Sequence, residues 1–261
     1  MEKNRFRELI KSGKVIMGLY IFIPSEAVVD IIGWAGFDFV ILDTEHASYD
    51  IRCMENLVRA AEARQMATVA RIASPDPFLT QRVLDTGVDG VMFARINSRQ
   101  DAENAVRFSR LAPMGERGTC PGMRAGRYHL MSRDEYNRRA SETIVGVNIE
   151  TKEGLEQAKE IISVPGIDYL RSGPNDLSAS LGVSEDDPQV AGAWQHLSKL
   201  AKSAGVQFMM HADNPKEVLA ALQKDNDLRL FFFYTDSCQF GKCLRGLVEE
   251  TREIAAQFSK V

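Results

Sequence analysis

Short apolar runs alternate with segments of helical periodicity along this chain, and the alternation repeats eight times. The apolar runs predict buried strands at 15–21, 39–42, 67–72, 90–94, 143–149, 167–171, 206–210 and 228–234. The periodic segments predict helices at 26–35, 51–64, 77–86, 102–110, 153–163, 188–204, 215–223 and 240–258. Eight strand–helix units favour one α/β domain over residues 1–261, a single (β/α)8 TIM barrel. A doubly wound sheet is disfavoured because no G-x-G-x-x-G follows the first strand.

The run 39–46 is the most informative stretch, because an apolar strand ends abruptly on Asp43, Glu45 and His46. A buried parallel strand is apolar on both faces, so its first polar residues stand where it leaves the core. In alternating β/α folds, active sites are built at that carboxyl end. The alternative is that the two acids cap the following turn and the imidazole is solvated. If the functional interpretation is right, the other strand ends should carry chemistry too.

Composition and charge narrow the class of protein. Charged residues make up 26% of the 261 residues, and the net charge is −4 with a pI of about 5.7. No basic block could track a phosphate backbone, so we expect no nucleic-acid partner. No segment reaches about 18 consecutive apolar residues, so we expect no membrane span.

The four cysteines are scattered without a C-x-x-C pair. This argues against a zinc–thiolate site or a disulfide framework, and predicts a soluble cytoplasmic protein.

Two further acids follow the fifth and sixth predicted strands. Glu150 comes directly after 143–149, and Asp176 lies just past 167–171. Neighbouring strand ends are about 5 Å apart, which suits two carboxylates that bind one hard cation. With only two protein ligands, water and substrate must complete an octahedron, which favours Mg²⁺, Mn²⁺ or Co²⁺ over a closed zinc site. Taken singly, either acid could instead be a helix cap or a surface charge.

Arg71 and His46 are the candidate catalytic groups. Arg71 leaves a buried strand, and its permanent charge needs an anionic partner, either a substrate oxygen or the nearby carboxylates of Asp43 or Glu45. His46, hydrogen-bonded to Asp43, would be held in one tautomer and could act as a base near neutral pH. With a cation, these groups suit proton abstraction beside a carbonyl. A Schiff-base mechanism is poorly supported because no lysine lies in a predicted strand.

An ordered set of motifs covers nearly the whole chain. It comprises A-G-F-D-F-V-I-L-D-T-E-H at 35–46, V-A-R-I at 69–72, V-L-D-T-G at 83–87, P-M-G-E-R-G at 113–118, I-E-T at 149–151 and G-P-N-D-L at 173–177. This set resembles the HpcH/HpaI family of class II, metal-dependent pyruvate aldolases, and its order makes the resemblance specific.

The resemblance implies a barrel enzyme that cleaves 4-hydroxy-2-oxo acids to pyruvate and an aldehyde, or forms them in reverse, through a metal-stabilised pyruvate enolate. Glu150 and Asp176 would hold the divalent metal. Arg71 would bind the carbonyl and enolate oxygen, and His46 with Asp43 would be the acid–base dyad. The expected substrate-binding residues are Arg71, Asn148, Gly173, Pro174, Asn175, Arg124 and Glu45. A homo-oligomer is also implied, a trimer or hexamer in which neighbours exchange the C-terminal helix.

The chain departs from the family pattern at several positions. Asn148 stands where the family commonly has Gln, segment 93–95 lacks the usual proline, 233–236 is bulkier, and the 117–125 region is one residue shorter. Residues 111–128 form the longest irregular stretch, which predicts a functional or disordered loop. These departures lie at the mouth, whereas the metal, arginine and histidine positions are kept. We therefore hypothesise that enolate chemistry is retained and that the electrophile has changed. An acidic second substrate such as a keto diacid is predicted from charged groups expected near the mouth: Arg95, Arg124, Arg127 and His211.

Two alternatives to an aldolase stay open from the sequence. One is a related enolate-forming enzyme, either a condensing enzyme like the citrate-forming enzymes of siderophore pathways or a decarboxylase. The other is a barrel that binds a metal–keto acid complex without turnover. The presence of His46 argues against this last alternative.

Overall fold

Eight parallel strands close into a barrel in the computed structural model, which describes residues 3–258. Each strand pairs with its neighbours in chain order, and β8 closes the barrel against β1. The strands are β1 Ile16–Ile21, β2 Phe39–Asp43, β3 Ala67–Ile72, β4 Gly90–Phe93, β5 Ile144–Asn148, β6 Tyr169–Arg171, β7 Gln207–His211 and β8 Leu230–Thr235. The predicted (β/α)8 TIM barrel is therefore confirmed.

Helices follow every strand and cover the outside of the barrel. They are α1 Arg5–Lys11, α2 Glu26–Trp34, α3 Ile51–Ala63, α4 Pro77–Asp85, α5 Arg99–Ser109, α6 Arg133–Ser141, α7 Lys152–Glu156, α8 Ala158–Ile162, α9 Pro174–Leu181, α10 Pro188–Ser203, α11 Pro215–Lys224 and α12 Asp236–Phe258. Two of them begin directly after polar N-cap residues. Asp76 accepts the Leu79 N–H ahead of Pro77, and Asn214 caps α11 in the same way.

Some elements differ from the sequence prediction. The predicted helix 153–163 is two short helices, α7 and α8, which meet at Gln157. Helices α6 and α9 were not predicted. The stretch 111–128 is ordered, and a 3₁₀ segment at Arg124–His129 packs against α4. Helix α4 runs away from the carboxyl end of β3, so its last turn lies at the opposite end of the barrel from the strand carboxyl termini.

Two apolar cores result from the strand alternation. One lies between the strands and the surrounding helices, and the other fills the barrel interior. Phe6 of α1 enters the interior from below, where its ring contacts Phe39 at 4.9 Å and Tyr169 at 5.9 Å. Since these two residues begin β2 and β6, α1 closes the amino-terminal end of the barrel. The open end is the carboxyl end.

Glycines make room for the large rings inside the barrel. Gly18 of β1 pairs in register with Phe39, and Gly146 of β5 pairs with Tyr169. A Cβ at Gly18 would lie 2.2 Å from the Phe39 ring, and one at Gly146 would lie 2.1 Å from the Tyr169 ring. Each ring therefore covers the neighbouring strand where only hydrogen fits.

Helix α12 is joined to the barrel at its base and exposed beyond it. Asp236, its first residue, is buried and accepts the backbone N–H groups of Phe22 and Ile23 at 2.9 and 3.0 Å. Further along the helix, large apolar side chains are exposed: Phe240, Leu244, Leu247, Val248, Ile254 and Phe258.

Within residues 3–258, no helix is long and apolar enough to cross a membrane. All four cysteines are free thiols.

Replacing Gly146 with Ala should destabilise the barrel. The added methyl group meets the Tyr169 ring in a packed interior, where overpacking costs about 1–3 kcal/mol. Urea denaturation would measure this as a lower free energy of unfolding. The control is Gly192→Ala in α10, where nothing lies within 4 Å of the new Cβ. There Ala should be neutral or stabilising by up to about 1 kcal/mol. Equal effects of the two substitutions would contradict the packing argument.

Candidate active site

A cavity of about 350 Å³ opens at the carboxyl end of the barrel, where polar side chains first leave the core. This size suits a small ligand. The predicted site residues that line it are His46, Arg71, Gly173, Pro174, Asn175 and Asp176. Other predicted residues lie behind its wall and are joined to the lining residues or to one another by hydrogen bonds: Asp43, Glu45, Asn148 and Glu150. His211 also lines the cavity, as predicted.

Arg71 is held between two carboxylates. It ends β3 in register with Asp43 of β2, and its Nη2 donates to the Asp43 carboxylate. Its Nη1 lies 3.2 Å from Oε2 of Glu45. Arg71 is only 6% exposed, and its guanidinium stacks over Tyr20, 4.9 Å from the ring centroid. Arg71 therefore forms ion pairs with Asp43 and Glu45, the alternative to a substrate oxygen that the sequence left open. They fix the cation at the cavity wall and still leave Nε without a partner among residues 3–258.

The predicted hydrogen bond between the His46 ring and Asp43 is wrong. Asp43 is fully buried, and its Oδ1 accepts the backbone N–H groups of Glu45 and His46 while Oδ2 faces Arg71. Both oxygens are thus already engaged. The His46 imidazole instead points to Glu45, with Nε2 3.7 Å from Oε2, and 52% of the side chain is exposed. Asp43 positions the loop and the arginine, whereas Glu45 is the carboxylate beside the imidazole.

Glu150 is a buried acid with two fixed contacts. Its Oε1 accepts the Arg95 backbone N–H at 3.0 Å, and its Oε2 accepts the side-chain amide of Asn148. Burial raises the pKa of Glu150 above its usual range, against an opposing effect of Arg171, and the nearby charges of Asp176 and Glu45 raise it further. These carboxylates are therefore close enough to repel one another, which a cation would relieve.

The donor set fits a hard divalent cation. Glu150 and Asp176 supply carboxylate oxygens, and Asp176 stands exposed in the first turn of α9. A Cβ at Gly173 would lie 3.2 Å from Oε2 of Glu150, so glycine at the cavity wall leaves room for that buried carboxylate. No cluster of three or more His, Cys, Asp or Glu converges to hold a metal within the described part of the chain. Water and substrate would have to supply the remaining ligands.

The structure places Arg124 away from the cavity, so its predicted position near the mouth is wrong. Its guanidinium donates to the Thr86 carbonyl at 2.7 Å and to the Glu62 carboxylate. Glu62 and Thr86 lie at the ends of α3 and α4, on the amino-terminal side of the barrel. Arg124 therefore links the C-terminal ends of α3 and α4 to the 3₁₀ segment. Arg127 belongs to the same 3₁₀ segment, whereas Arg95 is at the mouth through its backbone contact with Glu150.

Arg171 is a site residue that was not predicted. Like Arg71, it ends an apolar strand, and this signal was available in the sequence. Arg171 lines the cavity, is only 7% exposed, and stacks on Phe232 at 4.5 Å and on Tyr20 at 5.4 Å. Its Nε and Nη1 atoms have no hydrogen-bond partner among residues 3–258. The cavity therefore holds a second buried guanidinium.

A closed barrel with arginines, carboxylates and an imidazole gathered at the carboxyl ends of its strands defines the class of protein, a (β/α)8-barrel enzyme. The family follows from comparison with known proteins. The sequence profile of the HpcH/HpaI aldolase/citrate lyase family matches residues 17–228. The chain belongs to this family, which confirms the resemblance found in the motifs.

Relatives within the family are named as aldolases. The chain is 30% identical to a hydroxypyruvate/pyruvate aldolase from Paraburkholderia phytofirmans, over 95% of this chain and 98% of that protein. It is 33% identical to a pyruvate aldolase from Rhizobium etli, over 78% and 82%. A crystal structure of a family member from Burkholderia cenocepacia superposes with a TM-score of 0.86 at 29% identity, covering 94% and 98%. The chain is thus a carbon–carbon lyase of the aldolase class, in a family that is generally dependent on divalent metal.

Replacing Asp43 with Asn should strongly destabilise the protein. Asn retains the shape but leaves Arg71 with one buried anionic partner fewer, and breaking a buried ion pair costs about 3–5 kcal/mol. The control is Glu103→Gln, which removes an exposed ion pair with Arg99 and should cost under about 1 kcal/mol. Urea denaturation of both variants measures the difference. A loss for Asp43→Asn no larger than that of the control would show that the Asp43 pair is not a structural constraint.

Proposed function

We propose that this enzyme cleaves and forms 4-hydroxy-2-oxo acids, with pyruvate as the shared 2-oxo acid. The observation that carries the proposal is the gathering of Arg71, His46 and Asp176 around one cavity, with Glu150 buried behind Gly173 at its wall. Two relatives with pyruvate aldolase in their names support the same substrate class. Cleavage breaks the C3–C4 bond and leaves negative charge on C3 and on the C2 oxygen of the pyruvate part.

Arg71 would stabilise that negative charge. Its guanidinium is fixed by Asp43 and Glu45 before substrate arrives, so no reorganisation is needed when charge develops on the C2 oxygen. The substrate carboxylate would bind at the start of α9, where Gly173 and Pro174 line the cavity. The first N–H groups of a helix have no intrahelical partner and favour anions.

His46 would move the proton. In cleavage it takes the proton from the 4-hydroxyl group, and in synthesis it returns that proton to the new oxygen. Its imidazole is exposed at the cavity edge, with Nε2 3.7 Å from Oε2 of Glu45. Asp43 serves as a positioning residue because its Oδ1 accepts the backbone N–H groups of Glu45 and His46.

Glu150 and Asp176 would hold the divalent cation, for which Mg²⁺, Mn²⁺ and Co²⁺ are the candidates. When bound, such a cation supplies Lewis-acid stabilisation of negative charge on the 2-oxo acid. Asn148 keeps Glu150 oriented by donating to Oε2. Removing the side-chain amide of Asn148 would leave that buried oxygen without its donor.

We also propose a homo-oligomer, a trimer or hexamer, in which α12 is exchanged between neighbours. The helix exposes a row of large apolar side chains along much of its length, which a neighbouring copy would cover. Exchange fits a helix whose main contacts with its own barrel are near its base.

Proton exchange of pyruvate tests the proposed function directly. In D₂O, the wild-type protein should deuterate the pyruvate methyl group with Mg²⁺ or Mn²⁺ and should stop when chelator removes the metal. Asp176→Asn and Glu150→Gln should lower metal affinity and exchange, and Arg71→Ala should slow exchange by about 10²–10³-fold. The matched control is Asp186→Asn, an exposed acid ten positions further along the chain. Proton NMR measures the methyl signal of pyruvate for the wild-type protein and for each variant. If the wild-type protein produced no deuteration with any of the divalent metals, pyruvate enolisation would be refuted.

Light scattering coupled to size exclusion tests the assembly. The wild-type protein should have the mass of a trimer or hexamer, and Leu247→Glu should lower it by placing a charge on the apolar row of α12. Glu250→Gln, on the same helix, is the control and should leave the mass unchanged. A monomeric wild-type protein would contradict helix exchange.

A further inference from the structure

Tyr234 places an aromatic ring at one side of the cavity mouth. Leu230 and Phe232 of β8 point into the barrel interior, and strand alternation puts Tyr234 on the same face, one step nearer the mouth. Its side chain is half-buried and lines the cavity. Tyr234 belongs to the segment 233–236, which is bulkier than the family pattern. The proposed function gives this ring no role.

Three contacts hold the Tyr234 ring across the end of β7. Its hydroxyl group forms a hydrogen bond with the side-chain amide of Asn175, 3.3 Å away, in the first turn of α9. His211, the last residue of β7, meets the ring edge to face, with the ring centroids 4.7 Å apart. The ammonium group of Lys242 lies 5.6 Å from the ring centroid on α12. Because α9 follows β6, Tyr234 of β8 bridges the strand that lies between them.

The bridge limits where a second substrate can extend. In the proposed function, pyruvate and the cation occupy the side of the cavity formed by Arg71, Asp176 and the start of α9. On the side of β7 and β8, the free space ends at an aromatic wall, in which His211 contacts both Phe232 and Tyr234. The cavity volume of about 350 Å³ is near the lower limit for ligand sites, and this space has to hold both substrates. A long acceptor would therefore have to displace the wall.

We propose that Tyr234 sets the length of the second substrate, so that the enzyme prefers aldehydes of about two or three carbons over longer ones. Displacing the ring would break its hydrogen bond to Asn175 and its contacts with His211 and Lys242. This proposal rests on the proposed aldolase function and concerns the length of the acceptor, whatever its charge. Tyr234 is thus a specificity-determining residue and takes no part in proton transfer.

Two unbranched aldehydes of different length test the assignment. In each addition, C3 of pyruvate forms a bond to the aldehyde carbon, one methyl C–H bond breaks, and the aldehyde oxygen takes up a proton. The wild-type enzyme should show a higher kcat/KM for acetaldehyde than for pentanal. In Tyr234→Ala the ratio of kcat/KM for pentanal to that for acetaldehyde should rise about 10-fold or more, because the methylene groups of pentanal can fill the space of the ring.

Two further variants separate ring size from other effects. Tyr234→Phe keeps the ring between His211 and Lys242, so its ratio should stay close to the wild-type value. Phe108→Ala is the matched control, because Phe108 is a half-buried ring on α5, outside the cavity, with the Arg107 guanidinium 4.9 Å from its centroid. This control should leave the ratio unchanged. If Tyr234→Ala does not fold, Tyr234→Val supplies the same comparison.

Three results would overturn the role of Tyr234. They are a wild-type enzyme that uses pentanal as well as acetaldehyde, an unchanged ratio in Tyr234→Ala, and a rise in Tyr234→Phe as large as in Tyr234→Ala. Each ratio compares two substrates of one variant, so a general loss of activity or of folded protein cancels. A merely structural role of the ring would lower both rates and leave the ratio where it was.

These outcomes are separate from failure of the aldolase function itself. Methyl deuteration of pyruvate needs no acceptor and reports the enolate alone. Deuteration by the wild-type enzyme, together with an unchanged ratio in Tyr234→Ala, would overturn only the role of Tyr234. Absence of deuteration in the wild-type enzyme would refute the proposed function and, with it, this assignment.

Discussion

The candidate site depends on a buried ion pair between neighbouring strands. Asp43 and Arg71 end β2 and β3 in register, so barrel closure brings a carboxylate and a guanidinium together where the strands leave the core. Asp43 also holds the backbone of the next loop, and this fixes where Glu45 and His46 begin. Because a buried charge without a partner is costly, the pair and the loop stabilise one arrangement. The position of the His46 imidazole therefore depends on the Asp43–Arg71 ion pair, in which the imidazole takes no part.

The two arginines at the strand ends show how one pattern serves different purposes. Arg71 is ion-paired on both sides, whereas Arg171 is stacked on aromatic rings and forms no ion pair within 4.0 Å among residues 3–258. Stacking orients a cation but does not neutralise it, since an aromatic face supplies far less compensation than a carboxylate. The first arrangement is complete in the free protein. The second leaves two buried guanidinium nitrogens of Arg171, Nε and Nη1, without a hydrogen-bond partner among residues 3–258.

Close packing inside the barrel places these groups with little freedom. Tyr20 lies over both guanidinium groups, and it is itself fixed by contact with Phe232 at 5.5 Å. Lower in the barrel, rings cover Gly18 and Gly146, where a side chain would not fit. A dense interior leaves few alternative rotamers, so the cavity walls are rigid at their base. At the cavity wall, a Cβ at Gly173 would lie 3.2 Å from Oε2 of Glu150, so glycine leaves room for that carboxylate.

The sequence by itself determined the barrel, most strand positions and the chemistry at the strand ends. Apolar runs are local, and a strand that is apolar on both faces has to be buried, so Arg71 and Glu150 could be recognised as groups that leave a core. Tertiary structure decided which of these groups meet. Asp43 was predicted to orient His46, but packing had already committed both of its oxygens. Arg124 was predicted near the mouth, but α3 and α4 end on the other side of the barrel and hold it there. The partners of a long side chain depend on elements far away in the chain, and no local pattern records them.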